Sequence, residues 1–599
     1  MSGKEEVTMS QDEATHSQTQ HALVAAWGEF AQRLGLLEGL EAVDLHQKQY
    51  QHAPQTKVLE FLVATLAGLE HLKDISRAAH PLDQDRVLAR AWGQTAWADY
   101  SGVSRSLKSL TMREAEQIVQ VLEASSQLFI TSAINLAVLA EKRLVYDGDL
   151  TGLAVSKSST SYPGVAFGHM DDQIRLGYQA AVVSLHSPVE GRIWLSVNHH
   201  PGNLVSAVAA EGMILAAEKC TGVRPRRRTE LLEQRLQGVK QVGQTRQQKQ
   251  MERQQKVHQA QQALQEAERA LAEWQTQLEA LTERYHSQQR AERPTGQLAN
   301  ARKKLVRLQK QVERCRKVGA KTAQVLAWTD GLLAEQSAQQ QRLQQRLAQF
   351  ELDNRSNPQP VPAVFRLDAG FGTYENLALL IEMGYEVYTK LQNWKVLQSL
   401  RQQVPPDARW TEVGSQAWMW AWPQHPLENF CYPIDVGLER FSDGERIKYC
   451  AMLHFGATPV THDLPHWFSF YVGRQSIEAG IKESKQVFFL HRLKVRTQPA
   501  IYVQENLVLF AANFIRWANA WLATDHNNQR LPVEHLGIKE LVRVAAHTSA
   551  DVIWNSDVKL LKFSEHSVFA GKVLILPDFA YQLPLPLAKS FDFCDVSTA

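Results

Sequence analysis

VFRLDAGFGTYENLALLIEMGYEVYTK, residues 364–390, decides the fold class. VFRL is a short β-prone run, TYENLALLIEMG places apolar side chains at helical spacing, and YEVYTK returns to strand alternation. Strand, helix and strand at these lengths predict an α/β domain. Asp368 ends the first strand just ahead of Gly370, where α/β sheets present ligand-facing side chains.

Upstream, RLVYDGDLTGL (143–153), IRLGYQAAVVSLHSP (174–188) and GRIWLSVNHH (191–200) are strand-length and separated by Gly or Pro. They predict an antiparallel meander that opens the same domain, followed by a packed helix, NLVSAVAAEGMILAAEKC (203–220). Asp147 and Asp149 stand two residues apart, so both side chains leave one face of their strand.

Residues 224–352 interrupt this pattern. Leu264, Ala267, Leu271, Trp274, Leu278, Leu281 and Tyr285 alternate steps of three and four, and Leu298, Ala301, Leu305, Leu308, Val312 and Cys315 repeat that rhythm. This is a heptad seam broken once by ERPTG at 292–296, the pattern of an antiparallel coiled-coil hairpin. An arm of about 60 residues would be about 90 Å long at 1.5 Å per residue. Between residues 221 and 320, Lys and Arg outnumber Asp and Glu 22 to 10, although the whole chain carries only +2. A local excess of this kind suits a polyanion partner or a solvated helical face.

A third segment, YVGRQSIEAGIKESK (471–485), carries Tyr471, Arg474, Glu478 and Lys485. On one continuous helix their offsets fall at 0°, 300°, 340° and 320°, an arc of about 60° at 100° per residue. A phenol, a guanidinium, a carboxylate and an ammonium on one stripe suit phosphate contacts by Tyr471, Arg474 and Lys485, with metal ligation by Glu478. Glu483 is a rival ligand about 140° round the same helix.

The rest of the chain is organised around these segments. Residues 1–20 are polar and expected to be disordered. Residues 21–140 read as an all-α N-terminal domain, as in VLEFLVATLAGLEHL (58–72) and AEQIVQVLEASSQLFITSAINLAVLA (115–140). Within it ADYSGVSRSLKSL (98–110) reads as a Gly-containing turn followed by a helix start presenting Ser104, Arg105 and Lys108. That arrangement suits a helix-turn-helix DNA contact or a capped surface helix. The α/β core then occupies 141–223, 353–391 and 469–524, with the coiled coil at 224–352 and a Trp-rich, β-rich insertion at 392–468. A C-terminal region at 525–599 carries one more helix and short strands.

Five dispersed cysteines without a C-x-x-C pair argue against a disulfide scaffold or structural zinc and suit a reducing cytoplasm. The N-terminus lacks an apolar signal core, and the apolar stretch 507–522 is broken by Asn513, Arg516 and Asn519, so no membrane association is expected.

These segments resemble the DDE transposases of bacterial insertion sequences, in the branch marked by a Y-x2-R-x3-E-x6-K signature. Tyr471, Arg474, Glu478 and Lys485 match that signature in residue type and spacing, and Arg366, Asp368, Gly370 and Phe371 match R-x-D-x-G-F. The first-Asp segment of the branch reads as an apolar strand ending D-x-T, which selects Asp149, in DLT, over Asp147. The resemblance implies a ribonuclease H-like core with a five-stranded mixed sheet. It also implies Asp149, Asp368 and Glu478 as catalytic ligands of two Mg²⁺ ions, with Mn²⁺ able to substitute. The implied partners are double-stranded DNA, as terminal inverted repeats and target, and a second subunit in a homodimeric synaptic complex in the bacterial cytoplasm at the nucleoid. In some relatives a Trp of the β-rich insertion stacks on a flipped base, a role that would fall here to Trp418 or Trp420. The chain departs from the plain pattern in the interval of 219 positions from Asp149 to Asp368, which contains the coiled coil. Three readings stand beside the transposase: an inactive descendant kept for DNA binding, a coiled-coil scaffold, and a nuclease that cuts but never joins.

Overall fold

The computed structural model describes residues 15–49, 51–159, 161–170, 173–444, 446–523, 533, 536–554 and 559–576. Two compact units emerge, Met1–Arg226 with Gln359–Ala599, and Arg227–Pro358. The fourteen strands of the described residues are, in chain order, β1 (Thr15–Thr19), β2 (Leu144–Ala154), β3 (Ala166–Met170), β4 (Gln173–Ser187), β5 (Gly191–Pro201), β6 (Ala363–Leu367), β7 (Glu386–Lys390), β8 (Thr411–Gly414), β9 (Ala417–His425), β10 (Ile434–Asp443), β11 (Arg446–Phe455), β12 (Ala550–Trp554), β13 (Lys559–Phe563) and β14 (Val573–Ile575).

The first unit is built on a large mixed sheet. β5, β4 and β2 form the expected antiparallel meander, and β2, β6 and β7 run parallel to one another. Every residue of β6 is buried, as befits a central parallel strand. The helix Tyr374–Glu382 connects β6 to β7; Thr373 caps it by accepting from the Asn376 N–H, and it ends at Gly384, whose φ of 99° suits glycine.

The sheet does not stop at these five strands. β11 pairs antiparallel with β7, and β10, β9 and β8 continue outward, giving ten strands with β3 along the outer half of β4. The Trp-rich segment is therefore an extension of the core sheet, contrary to the expectation of a five-stranded sheet beside a separate insertion. A buried polar network locks the extension on. His454 of β11, fully enclosed, bonds Asp435 of β10 at 2.9 Å and Glu386 of β7 at 3.1 Å, and Glu386 also takes Arg143 at 2.9 Å. Burial alone would depress the His454 pKa, but these two carboxylates outweigh it and raise it.

Helices cover both faces. Behind β2, Tyr146 stacks on Phe365 at 5.1 Å, and a Cβ on Gly148 would come within 2.5 Å of Met213 in the helix Ser206–Thr221. Alternation puts Asp147 and Asp149 on the opposite face, against the helix Gln475–Val487.

The N-terminal helices follow the expected apolar periodicity but share their core with the rest of the unit. Phe129, in the helix Met112–Glu141, stacks on Trp517 at 4.2 Å, and Phe30 packs against Phe514 and Trp521 of the helix Gln498–Leu522. Among the described residues Met112–Glu141 is the one helix long and apolar enough to cross a membrane; here it packs as a core helix. Asn513, which breaks the apolar run of the C-terminal helix, is satisfied by the main chain of Trp194 in β5, accepting at 2.9 Å and donating at 2.8 Å. The Gly-containing turn expected before Ser104 is instead the first turn of the helix Tyr100–Lys108. Asp99 caps that helix through the Gly102 N–H.

Thr15–Thr19, inside the segment expected to be disordered, pairs with β12 in a second sheet, β1-β12-β13-β14. Polar composition there reflects an edge strand. The remainder of that expectation, residues 1–14, lies outside the described residues.

The second unit is the predicted hairpin. The helices Thr229–Ser287 and Gln297–Arg355 have 59 residues each, about 90 Å at 1.5 Å per residue. Their contacts run antiparallel: Arg227 with Asp353, Arg246 with Gln336, Arg253 with Thr329, Arg316 with Glu268, and the Trp274 indole with the Ala301 carbonyl. Ala267, Leu298, Ala301 and Val312 of the heptad seam are buried, as the spacing predicts.

Candidate active site

Three remote segments supply the site. Asp149 lies on β2, Asp368 caps the end of β6, and Glu478 sits in the first turn of the helix Gln475–Val487. One guanidinium joins two of them: Arg474 lies 3.3 Å from Asp149 Oδ2 and 2.5 Å from Glu478 Oε1. Burial, then the charge of Asp368, pushes the Asp149 carboxyl up to about 6. Burial likewise raises Asp368, opposed by Arg474 and by hydrogen bonds from the Phe371 and Gly370 amides. The three acids and Arg474 thus form one electrostatic cluster.

Asp147 and Asp149, neighbours on one strand face, have different partners. Asp147 is buried and held at both oxygens by Arg366, at 2.7 and 2.8 Å, with Ser476 at 3.4 Å. Arg366, two residues before Asp368, thereby ties β6 to β2 beside the site.

The same Arg366 reshapes the segment expected to be one helix. Its Nη1 donates to the Phe470 carbonyl at 2.8 Å, the oxygen that would otherwise accept from the Arg474 amide. That amide turns to Tyr471 O at 3.0 Å, and the chain divides into the helices Leu464–Val472 and Gln475–Val487. Gly473 suits the break, because a Cβ there would stand 2.7 Å from Arg366 Nη1 and press on its bond to the Phe470 carbonyl.

This break corrects the single-stripe expectation. Tyr471 belongs to the first helix, is 6% exposed, and donates to the Leu367 carbonyl at 3.2 Å. Its hydroxyl thereby supports the β6 end behind Asp368. Arg474 is engaged with the acids themselves. Lys485 lies two turns beyond Glu478, half-buried beside His491. Glu483, the rival ligand, faces away and takes Arg516 at 2.8 Å and Arg192 at 3.4 Å.

Arg192 is a residue that sequence reading missed. It crosses from β5 to bond the Ser476 carbonyl and Glu483, and so holds the Glu478 helix against the sheet. A Cβ on Gly480 would lie 2.1 Å from its Cζ. Gly480→Ala is expected to displace this guanidinium, costing about 1–3 kcal/mol by overpacking. A urea midpoint equal to that of the unchanged protein would contradict this packing.

Trp418 and Trp420 share a strand face, as the alternation predicts, opposite buried Met419. Trp418 packs on Arg440, and Trp420 meets Trp422 edge-on at 4.1 Å. Their strand is four places from β6, about 19 Å at 4.8 Å per strand, so the fold does not bring them to the acids. Ser104, Arg105 and Lys108 are exposed on their helix.

The donor set is all carboxylate oxygen, which suits a hard divalent cation. Asp368 Oδ1 is buried with no hydrogen-bond partner, and Asp149 and Asp368 repel one another, so a cation there would relieve both. Glu478 is turned onto Arg474, and no three His, Cys, Asp or Glu of the described residues stand grouped to hold one ion. Its side chain, 42% exposed against 14% for Asp149, is the one least confined by packing. Compared with protein-family models and with curated proteins, the chain matches none.

Proposed function

We propose that this chain is a DDE-type DNA transposase with a ribonuclease H-like core, performing metal-dependent cleavage at element ends and strand transfer into target DNA. The observation that carries the reading is the meeting of Asp149, Asp368 and Glu478, remote in sequence, in one cluster around Arg474. It is supported by the order β5-β4-β2-β6-β7, antiparallel then parallel, with Asp149 on β2 and Asp368 at the end of its parallel neighbour.

Attack on a phosphodiester by water or a 3′-hydroxyl builds negative charge on the entering and leaving oxygens. Two bound Mg²⁺ ions, or Mn²⁺ in their place, would supply the charge stabilisation and activate the nucleophile. Asp149 and Asp368 would hold them, with Glu478 as third ligand once its carboxylate leaves Arg474. Arg474, released from Glu478, keeps its fixed positive charge beside Asp149 and can hold a phosphate oxygen in line. Asp147 and Arg366 fix the strands that carry the acids, and Arg192 fixes the helix. Lys485 is assigned to phosphate further along the DNA, and the coiled coil to homodimerisation or to gripping the duplex.

A second reading, an inactive descendant that binds DNA, draws on Arg474, which pairs with both Glu478 and Asp149 and so occupies two of the three acids. The deciding assay incubates the full chain with supercoiled plasmid carrying the DNA that flanks its own reading frame. Nicked and strand-transferred products are expected with Mg²⁺ and none with chelator. Binding without any cleavage in Mg²⁺ or Mn²⁺ would replace the enzyme by the inactive descendant.

A further inference from the structure

His21, at the N-cap of the helix Ala22–Arg33, and His547, in the 3-10 turn Ala545–His547, lie near opposite ends of the chain. The fold brings their rings to 5.3 Å between centres, crossed at 72°. The main chain joins the two segments: the Ala22 amide donates to the Thr548 carbonyl at 3.0 Å, and β1 pairs with β12.

Each ring has one nitrogen on a carbonyl. His21 Nε2 donates to His80 O at 3.2 Å, and His547 Nε2 donates to Ala67 O at 3.0 Å. A carbonyl only accepts, so both Nε2 atoms carry the proton and both Nδ1 atoms carry the lone pair in the neutral rings. His21 is 1% exposed, and its Nδ1 is buried with no hydrogen-bond partner. A buried lone pair left unpaired is costly, and a ring pinned to a carbonyl through its other nitrogen is how metal-ligating histidines are held. Burial, then the nearby His547, pushes the His21 imidazole down to about 4, and burial lowers His547 as well. Near neutral pH the His21 lone pair is therefore free of a proton, as a metal ligand must be.

The spacing fits a single ion. With metal–nitrogen bonds of about 2.05 Å each ring centre stands roughly 3.2 Å from the metal, so two imidazoles on a tetrahedral ion have centres about 5.2 Å apart. His547 is exposed, which opens the site to solvent. Among the described residues no third His, Cys, Asp or Glu is grouped with the pair. Asp85, whose charge reaches His21, is committed to the Thr19 hydroxyl and the Leu88 amide.

We propose that His21 and His547 form a binding site for a divalent transition metal of the Zn²⁺ or Cu²⁺ class, held by their two Nδ1 atoms and completed by water. Imidazole nitrogen selects such ions over Mg²⁺, which favours oxygen, so the site is distinct from the carboxylate cluster. The ion clips the start of the first helix to the C-terminal segment and stabilises the fold by mass action. The inference does not depend on the transposase reading.

The test is Cu²⁺ titration of the chelator-washed full chain, read by electron paramagnetic resonance, alongside thermal unfolding with Zn²⁺. The first equivalent of Cu²⁺ is expected to show coupling to two imidazole nitrogens, and Zn²⁺ is expected to raise the thermal midpoint. His547→Gln keeps an N–H for the Ala67 carbonyl but removes the imidazole, so its midpoint in chelator should match that of the unchanged chain. Its Cu²⁺ affinity should fall at least about tenfold, the loss that removing even an outer partner brings, and the Zn²⁺ effect should vanish. Two-nitrogen coupling at full affinity in His547→Gln, or oxygen-only ligation in the unchanged chain, would overturn the proposal.

Discussion

Replacing Asp368 by Asn is expected to remove Mg²⁺-dependent nicking while leaving DNA binding in place. The substitution keeps the size of the side chain and its amide partners at Gly370 and Phe371 but removes the charge that, with Asp149, would hold a cation. Metal-ion stabilisation of the charge built up in phosphodiester attack is worth several kcal/mol, so the rate should fall by roughly three orders of magnitude or more. Asp147→Asn is the informative comparison, because Asp147 stands on the same strand face yet is committed to Arg366. It should affect stability far more than the metal dependence of cleavage. Undiminished cleavage by Asp368→Asn would remove Asp368 from the site and with it the proposed chemistry.

The second large effect falls on stability. Arg366→Ala leaves the buried Asp147 carboxylate without its partner, and breaking such a pair costs about 3–5 kcal/mol. It also frees the Phe470 carbonyl, whose withdrawal from the helix ladder divides the chain at Gly473, so the position of Arg474 should change as well. The expected outcome is a urea midpoint lowered by that free energy divided by m, with m itself unchanged. Replacing both partners, as Asp147→Leu with Arg366→Met, should recover much of the loss, since an apolar pair of similar volume carries no unpaired charge. If the single variant is as stable as the unchanged chain, the ion pair is not what holds β2 and β6 together here.

Much of the fold was legible because it is written in short-range periodicity. The heptads between Leu264 and Cys315, the alternation in the meander, and the sequence around Asp368 each specify an element from neighbours a few residues apart. The β1 strand was illegible for the opposite reason. Thr15–Thr19 is polar and short, and its strand character comes from the β12 partner over five hundred residues away. The ten-strand sheet was likewise missed, because pairing of β11 with β7 depends on an open edge that no local pattern reveals.

In the site, sequence named the three carboxylates, Asp149 over Asp147 through the D-x-T resemblance, and the fold gathers them in one charge cluster with Arg474. What the structure corrects is the helix geometry. Tyr471 was placed on a stripe with Arg474 by assuming unbroken helix geometry, and a guanidinium from β6 breaks that geometry. Arg192, on a distant strand, carried no signal at all.

By itself, then, the sequence determined the α/β class, the antiparallel arm, and which acids were available, since propensity and periodicity act over one or two turns of chain. Only the tertiary structure decided that Asp147 would be neutralised by Arg366 while Asp149 met Asp368 and Arg474. The physical reason is that a buried charge takes its character from whichever opposite charge or hydrogen-bond donor folding brings within about 4 Å, and that identity is settled by packing between segments remote in the chain.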